Sequence, residues 1–134
     1  MTHPPMDSPS SLRRQRGIVA QARGVVAEAQ VAQVLMAEGW HVLGQRVRTS
    51  LGELDLITER CGVLVFIEVK QRATLTDAAY ALSPRQIVRL CAAAEAWMAA
   101  NPGHGDAGVR FDVLLRDDAG GMRRIVDAFR PGMG

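Results

Sequence analysis

Lysine is nearly missing from this chain: of 16 Lys+Arg residues, Lys70 alone is lysine. Arginine serves wherever a solvated positive charge is enough. A position that keeps lysine is one where a planar guanidinium is too large, as where a compact ammonium sits against carboxylates and a phosphate oxygen or a water. Cysteine is scarce too. Cys61 in a turn signal and Cys91 in a helical apolar stripe are the only two, which excludes a disulfide framework and a zinc site and predicts a reducing, cytoplasmic setting. Aromatic content of 4% argues against single-strand binding by a base-stacking platform. No apolar run approaches the roughly 20 residues of a membrane span, and the start lacks a signal-peptide apolar region, so no membrane partner is predicted. His41 and His104 have no partners at metal-ligand spacing.

What is present suits one α/β domain. The chain has 134 residues, 48% hydrophobic content and a mean hydropathy of +0.02, enough for a core once a polar tail is set aside. A net charge of +2 and a pI near 8.9 permit a nucleic-acid partner without demanding one. Concentrated carboxylates would hide a basic surface from that sum.

The stretch from Gly52 to Arg72 organises the chain. Apolar residues fill Leu54 to Ile57 and Val63 to Val69, with Arg60-Cys61-Gly62 between them, which reads as a β-hairpin leading into a buried strand. Asp55, Glu68 and Lys70 interrupt the apolar run. Strand alternation puts Glu68 and Lys70 on one face, with Phe66 and Leu64 behind them.

Residues 1–16 read as a disordered polar and basic tail, with Arg13, Arg14 and Arg16 able to brush phosphates. A helical pattern runs from about Ile18 to Glu38 and stops at Gly39. Its apolar side carries Val25, Val31, Ala32 and Leu35, joined by Glu28, a carboxylate that needs a pairing partner, a hydrogen bond or a metal. Trp40 to Arg48 reads as a strand ending in Arg46 and Arg48. Ala73 to Leu82 has no clean period and reads as a connection beside the site. Ser83-Pro84-Arg85-Gln86 is an N-cap signal, followed by the stripe Ile87, Leu90, Cys91, Ala94, Trp97 and Met98. Strands are predicted over Val109 to Leu115 and Arg123 to Phe129, and 131–134 as a flexible end. Arg110 and Asp112, on one face of a strand, read as a structural pair. The order αβββαββ predicts a mixed central sheet with one helix on each face.

Oxygen ligands converging from a rigid sheet suit Mg²⁺ or Mn²⁺, and such a cation with a lysine beside it suits phosphodiester hydrolysis. Four segments carry a further likeness: Gly24-x3-Glu28, Gly52-Glu53-Leu54-Asp55-Leu56-Ile57, Val65-Phe66-Ile67-Glu68-Val69-Lys70-x-Arg72 and Arg110-Phe111-Asp112-Val113. Together they resemble the YraN family of small bacterial proteins, over about Gly17 to Phe129. That family is similar to the restriction-endonuclease-like superfamily and, within it, to archaeal Holliday-junction resolvases. The resemblance implies a single nuclease-like domain over 17–130 with a restriction-endonuclease-like fold. It implies Asp55 and Glu68 as metal ligands with the Val69 carbonyl assisting, Lys70 as the catalytic lysine and Glu28 as an accessory acid. Glu53 shares the face of Asp55, as a site member or as a turn-fixing residue. Arg72, Arg85, Arg46 and Arg48 are candidate nucleic-acid contacts, and Gln71 a weaker one. Where relatives carry a lysine at the start of the second helix, this chain has Arg85 and Arg89. The activity implied is a metal-dependent endonuclease acting on DNA, branched as for a resolvase, and by the same analogy a homodimer. Two other readings stay open: a non-catalytic nucleic-acid-binding or adaptor module on the same fold, and an interaction protein whose buried charges pair with one another.

Overall fold

The computed structural model describes residues 28–75 and 82–131. The predicted tail, the first ten residues of the first helix (18–27), most of the connection before the second helix and the last three residues lie outside these. The described part of the first helix, α1, covers residues 28–37. Gly39, at φ +93°, ends it, and the Trp40 N–H donates back to the Leu35 carbonyl at 3.0 Å, a closure that favours glycine in the left-handed region.

Five strands follow the predicted order: β1 (His41–Thr49), β2 (Gly52–Arg60), β3 (Val63–Gln71), β4 (Gly108–Arg116) and β5 (Met122–Ile125), with α2 (Pro84–Ala100) between β3 and β4. They form one sheet in the order β1-β2-β3-β4-β5. All neighbours are antiparallel except β3 and β4, whose parallel pairing requires the α2 crossover. The β2–β3 turn is tight, since Arg60 pairs with Val63 and both Cys61 and Gly62 take positive φ, the geometry of a two-residue hairpin that follows strand twist. Helix α2 begins as its sequence predicts. Ser83 Oγ accepts from the Gln86 N–H at 3.2 Å while Gln86 Oε1 accepts from the Ser83 N–H at 2.7 Å, a reciprocal cap that satisfies two otherwise open donors.

Each helix covers one face. Val31, Ala32 and Leu35 of α1 pack with Leu56, Val65, Ile67 and Leu114. Cys91, Ala94 and Trp97 of α2 pack with Ile57, Leu64, Phe66 and Phe111 on the other face. Burial of these side chains on folding contributes about 1.5–3 kcal/mol for each large one.

The last strand is shorter than its pattern predicts. Asp127 takes φ +54° and donates its N–H to Asp112 Oδ1 at 3.0 Å, while the Ala128 N–H goes to the Phe111 carbonyl at 2.8 Å. The chain therefore turns inward after Ile125 and drives Phe129 into the core against Phe111, ring centroids 4.8 Å apart. The Arg110–Asp112 pair forms as read. Asp112 is fully buried and accepts from Arg110 Nε and Nη2 at 2.8 and 2.9 Å and from Arg124 Nε at 3.0 Å. Arg124 also lies over the Trp40 ring, 5.2 Å from its centroid. Burial pushes the Asp112 carboxyl up, but the bonds from Arg110, the Asp127 N–H and Arg124 outweigh it and hold it below its ordinary 3.8. A carboxyl lowered on folding stabilises above its unfolded value, and that contribution fades as pH falls through the folded one. Removing it also strands two arginines in the structure. Asp112→Ala is expected to cost about 3 kcal/mol in urea unfolding at pH 7, and the difference from wild type is expected to shrink below pH 3.8; a loss under about 1 kcal/mol would show that the network is not holding the C-terminal strand.

Candidate functional site

The geometry of the site starts from a gap in the sheet. The β2–β3 ladder ends at Leu56↔Ile67, whereas β1–β2 pairing continues to Thr49↔Gly52 and β3–β4 pairing to Gln71↔Arg116. Beyond Leu56, then, the β1–β2 arm peels away from β3. Asp55 sits at the point of divergence, and its Oδ2 accepts the Val69 N–H at 2.9 Å. A side-chain oxygen so takes an N–H of the neighbouring strand where the ladder has stopped. The alternation of β2 breaks at the same residue, since Leu54 packs under α2 and Leu56, two positions on, under α1. Gly52 opens the arm with φ +153°, and a Cβ there would stand 3.5 Å from Ala93 Cβ of α2.

This divergence brings acids from three elements together. Glu68 and Lys70 share a face of β3 as alternation requires, with Lys70 Nζ 3.5 Å from Glu68 Oε1, both largely buried. Glu28, 6% exposed, reaches in from α1. Asp55 lies between them. Burial first, and then the Asp55 carboxylate, push the Glu68 carboxyl up to about 8, with Lys70 opposing. Burial and Asp55 likewise push Glu28 up to about 7, with Arg46 opposing. Arg46 Nη1 lies 3.7 Å from Glu28 Oε2 and Arg46 Nη2 lies 3.8 Å from Glu53 Oε1. Glu53 also pairs with the exposed Arg48, Nε to Oε2 at 3.7 Å.

Carboxylates that repel one another in partial burial are a donor set that a hard divalent cation would satisfy, and among the described residues the buried Glu28 Oε2 has no hydrogen-bond donor. The residues present therefore fit Mg²⁺ or Mn²⁺, which Asp55 and Glu68 would hold, with the carbonyl of Val69, the residue after Glu68, beside them. No trio of His, Cys, Asp or Glu among the described residues makes a ready-formed cation cage, so the fit rests on the carboxylate pair and on solvent ligands of the kind Mg²⁺ retains.

Other residues singled out by the sequence are placed as follows. Gln71 Nε2 donates to Asp118 Oδ1 at 3.2 Å, toward the β4–β5 turn. Arg72 Nη1 donates to the Gln71 carbonyl at 3.0 Å. Arg85 is exposed on the first turn of α2. His104 pairs with Glu59, Nδ1 to Oε1 at 3.0 Å. Arg89 gains a place that its sequence position did not give it. With Gly52, Glu53, Glu68, Gln86 and Leu90 it lines a cleft of about 230 Å³ between the peeled arm and α2. Its spacing from Arg85, one helical turn on, was the available signal, but only packing shows which of the two lines a cleft with Glu68.

Fold and site together define a small α/β protein with a nuclease-like architecture and an acid–lysine cluster at splayed strands. Residues 27–115 match the family described as Uncharacterised protein family UPF0102. The chain is 53% identical over 115 residues to a UPF0102 protein of Granulibacter bethesdensis, covering 86% of this chain and 73% of that one. A UPF0102 protein of Rhodopseudomonas palustris strain BisB5 is 46% identical over 108 residues, 81% and 82% of the two chains, and one of Bradyrhizobium sp. strain ORS 278 is 41% identical over 121 residues, 90% and 86%. The chain belongs to the UPF0102 family, the YraN family of the sequence resemblance. Among the described residues no helix is long and apolar enough to cross a membrane.

The raised carboxyls set a pH dependence. An acid whose folded value lies above its unfolded one stabilises most below the unfolded value and loses that contribution as pH rises through the folded one. In EDTA, the melting temperature is expected to fall between about pH 4.5 and pH 8, and Glu68→Gln is expected to flatten most of that decline. Equal slopes in the two proteins would show that Glu68 does not carry it.

Proposed function

We propose that this protein is a divalent-metal-dependent endonuclease that hydrolyses phosphodiester bonds of DNA, with branched DNA as its resolvase-like substrate. The observation that carries this reading is the Asp55–Val69 hydrogen bond, which anchors a carboxylate at the mouth of the splayed strands beside Glu68 and Lys70. A purely structural pairing of these charges would be expected to satisfy the acids one for one, yet Glu28 and Glu68 are both raised, by burial first and then by the proximity of Asp55.

Bound Mg²⁺ or Mn²⁺ would supply Lewis acidity toward the phosphodiester and charge to offset the leaving oxygen. Asp55, Glu68 and the Val69 carbonyl would hold it. Lys70 orients the attacking water and offsets negative charge that develops on the phosphoryl oxygens. Glu68 keeps the ammonium aimed into the gap through the 3.5 Å ion pair. Arg89, which lines the same cleft as Glu68, binds the phosphate, and Arg85 and Arg72 contact the backbone beyond it. Gln86 is tied into the helix cap, which fixes the helix end that presents Arg89.

The test is cleavage of end-labelled duplex, single-stranded, flap and four-way-junction DNA in Mg²⁺, Mn²⁺ and EDTA. Asp55→Ala and Lys70→Ala are expected to lower the rate by about 10²–10³-fold or more with unchanged circular dichroism. Arg89→Ala is expected to weaken substrate binding about tenfold, as for loss of a hydrogen bond to a charged group. Absence of cleavage by wild type, with metal-independent, salt-sensitive binding in all variants, would replace the nuclease with the binding-module reading.

A further inference from the structure

Arg46 is read from sequence as a phosphate contact at the end of a strand, but its surroundings point elsewhere. In the β1–β2 register, Gln45 faces Leu56 and Val47 faces Leu54, so Arg46 falls opposite Asp55. It does so with φ +49°, a left-handed conformation that is costly for a residue with a Cβ outside glycine, asparagine and aspartate. The preceding bulge, where the register shifts between Val42 and Gly44, prepares this turn of the backbone. Strain of this kind persists where the surroundings enforce it.

The strained backbone aims the guanidinium at two carboxylates from different elements, Glu28 of α1 and Glu53 of β2, at 3.7 and 3.8 Å. Both distances exceed the 2.7–2.9 Å or so of a charge-assisted hydrogen bond. At Asp112 the same chain builds arginine contacts of 2.8 and 2.9 Å. Arg46 therefore neutralises Glu28 without locking it, and Glu28 Oε2 stays buried with no hydrogen-bond donor among the described residues. Asp55, and more weakly Glu53, already bring negative charge to that carboxyl.

We propose that Arg46 is the resident counter-ion of the acidic cluster: a positioning residue that holds Glu28 and Glu53 in the cation-free protein and releases Glu28 when a divalent cation binds at Asp55 and Glu68. This rests on the metal-dependent reading above. It also makes Arg46 an electrostatic competitor of the cation, so removing its charge tightens cation binding. A residue that merely braced the site would loosen binding when removed, and one that only touched phosphate would leave it unchanged.

The experiment is calorimetric titration of Mn²⁺ alone into the full-length wild type, Arg46→Asn, Arg46→Lys and Asp55→Asn, with thermal melts of each in EDTA. Asparagine accepts the left-handed backbone, so Arg46→Asn removes the charge while sparing the fold. Arg46→Asn is expected to bind Mn²⁺ about tenfold tighter than wild type, the scale of one charge acting on a divalent ion through a partly screened site. Arg46→Lys is expected to stay near wild type, and Asp55→Asn to lose binding. Unchanged or weaker binding in Arg46→Asn, with wild type binding normally, would overturn the counter-ion role alone. No Mn²⁺ binding by either protein would overturn the metal-dependent reading, and the counter-ion role with it.

Discussion

The hydrogen bond from the Val69 N–H to Asp55 Oδ2 is the contact on which the rest of the site depends. Two strands that leave their ladder expose backbone groups that must find other partners, and here a carboxylate is the partner. That substitution keeps the gap open and fixes its width. It also explains why an acid tolerates a place beside the core: Asp55 compensates a backbone donor while it acts on both Glu28 and Glu68.

Two buried charge networks in one small domain show opposite designs. Around Asp112 one carboxylate meets two arginines and a backbone N–H at hydrogen-bonding distance, and the result fastens the C-terminal segment to the sheet. Around Asp55, among the described residues, carboxylates outnumber close cations, and the ion pairs stand at 3.5 to 3.8 Å. The first arrangement lowers its acid, whereas the second raises two of its acids. A fold that satisfies a buried acid so fully at one position has left another cluster of acids raised, the kind of perturbation that gathers at functional sites.

Much of this was legible in the chain. Two apolar runs on either side of the Arg60-Cys61-Gly62 turn signal placed β2 and β3, the Ser83-Pro84-Arg85-Gln86 cap placed α2, and strand alternation placed Glu68 and Lys70 on one face. The apolar stripe of the first helix marked Glu28 as inward-facing, and it is buried. The end of β5 was not legible, because the pattern from Arg123 to Phe129 continues while the Asp127 N–H and Phe129 are drawn to partners on β4. Nor was the role of Arg46, since neither a bulge nor a positive φ is signalled by an arginine within a strand-like run.

The element order, the two apolar faces and the misplaced charges could all be read from the chain, because these follow from local periodicity, capping and the cost of desolvating a charge. The chain also singled out Lys70, through the absence of every other lysine. Only the tertiary structure decided where β2 and β3 part, that Arg46 falls opposite Asp55, and that Arg89 shares a cleft with Glu68. Those are distances between residues far apart in the chain, set by sheet register and helix packing, and no local pattern encodes them.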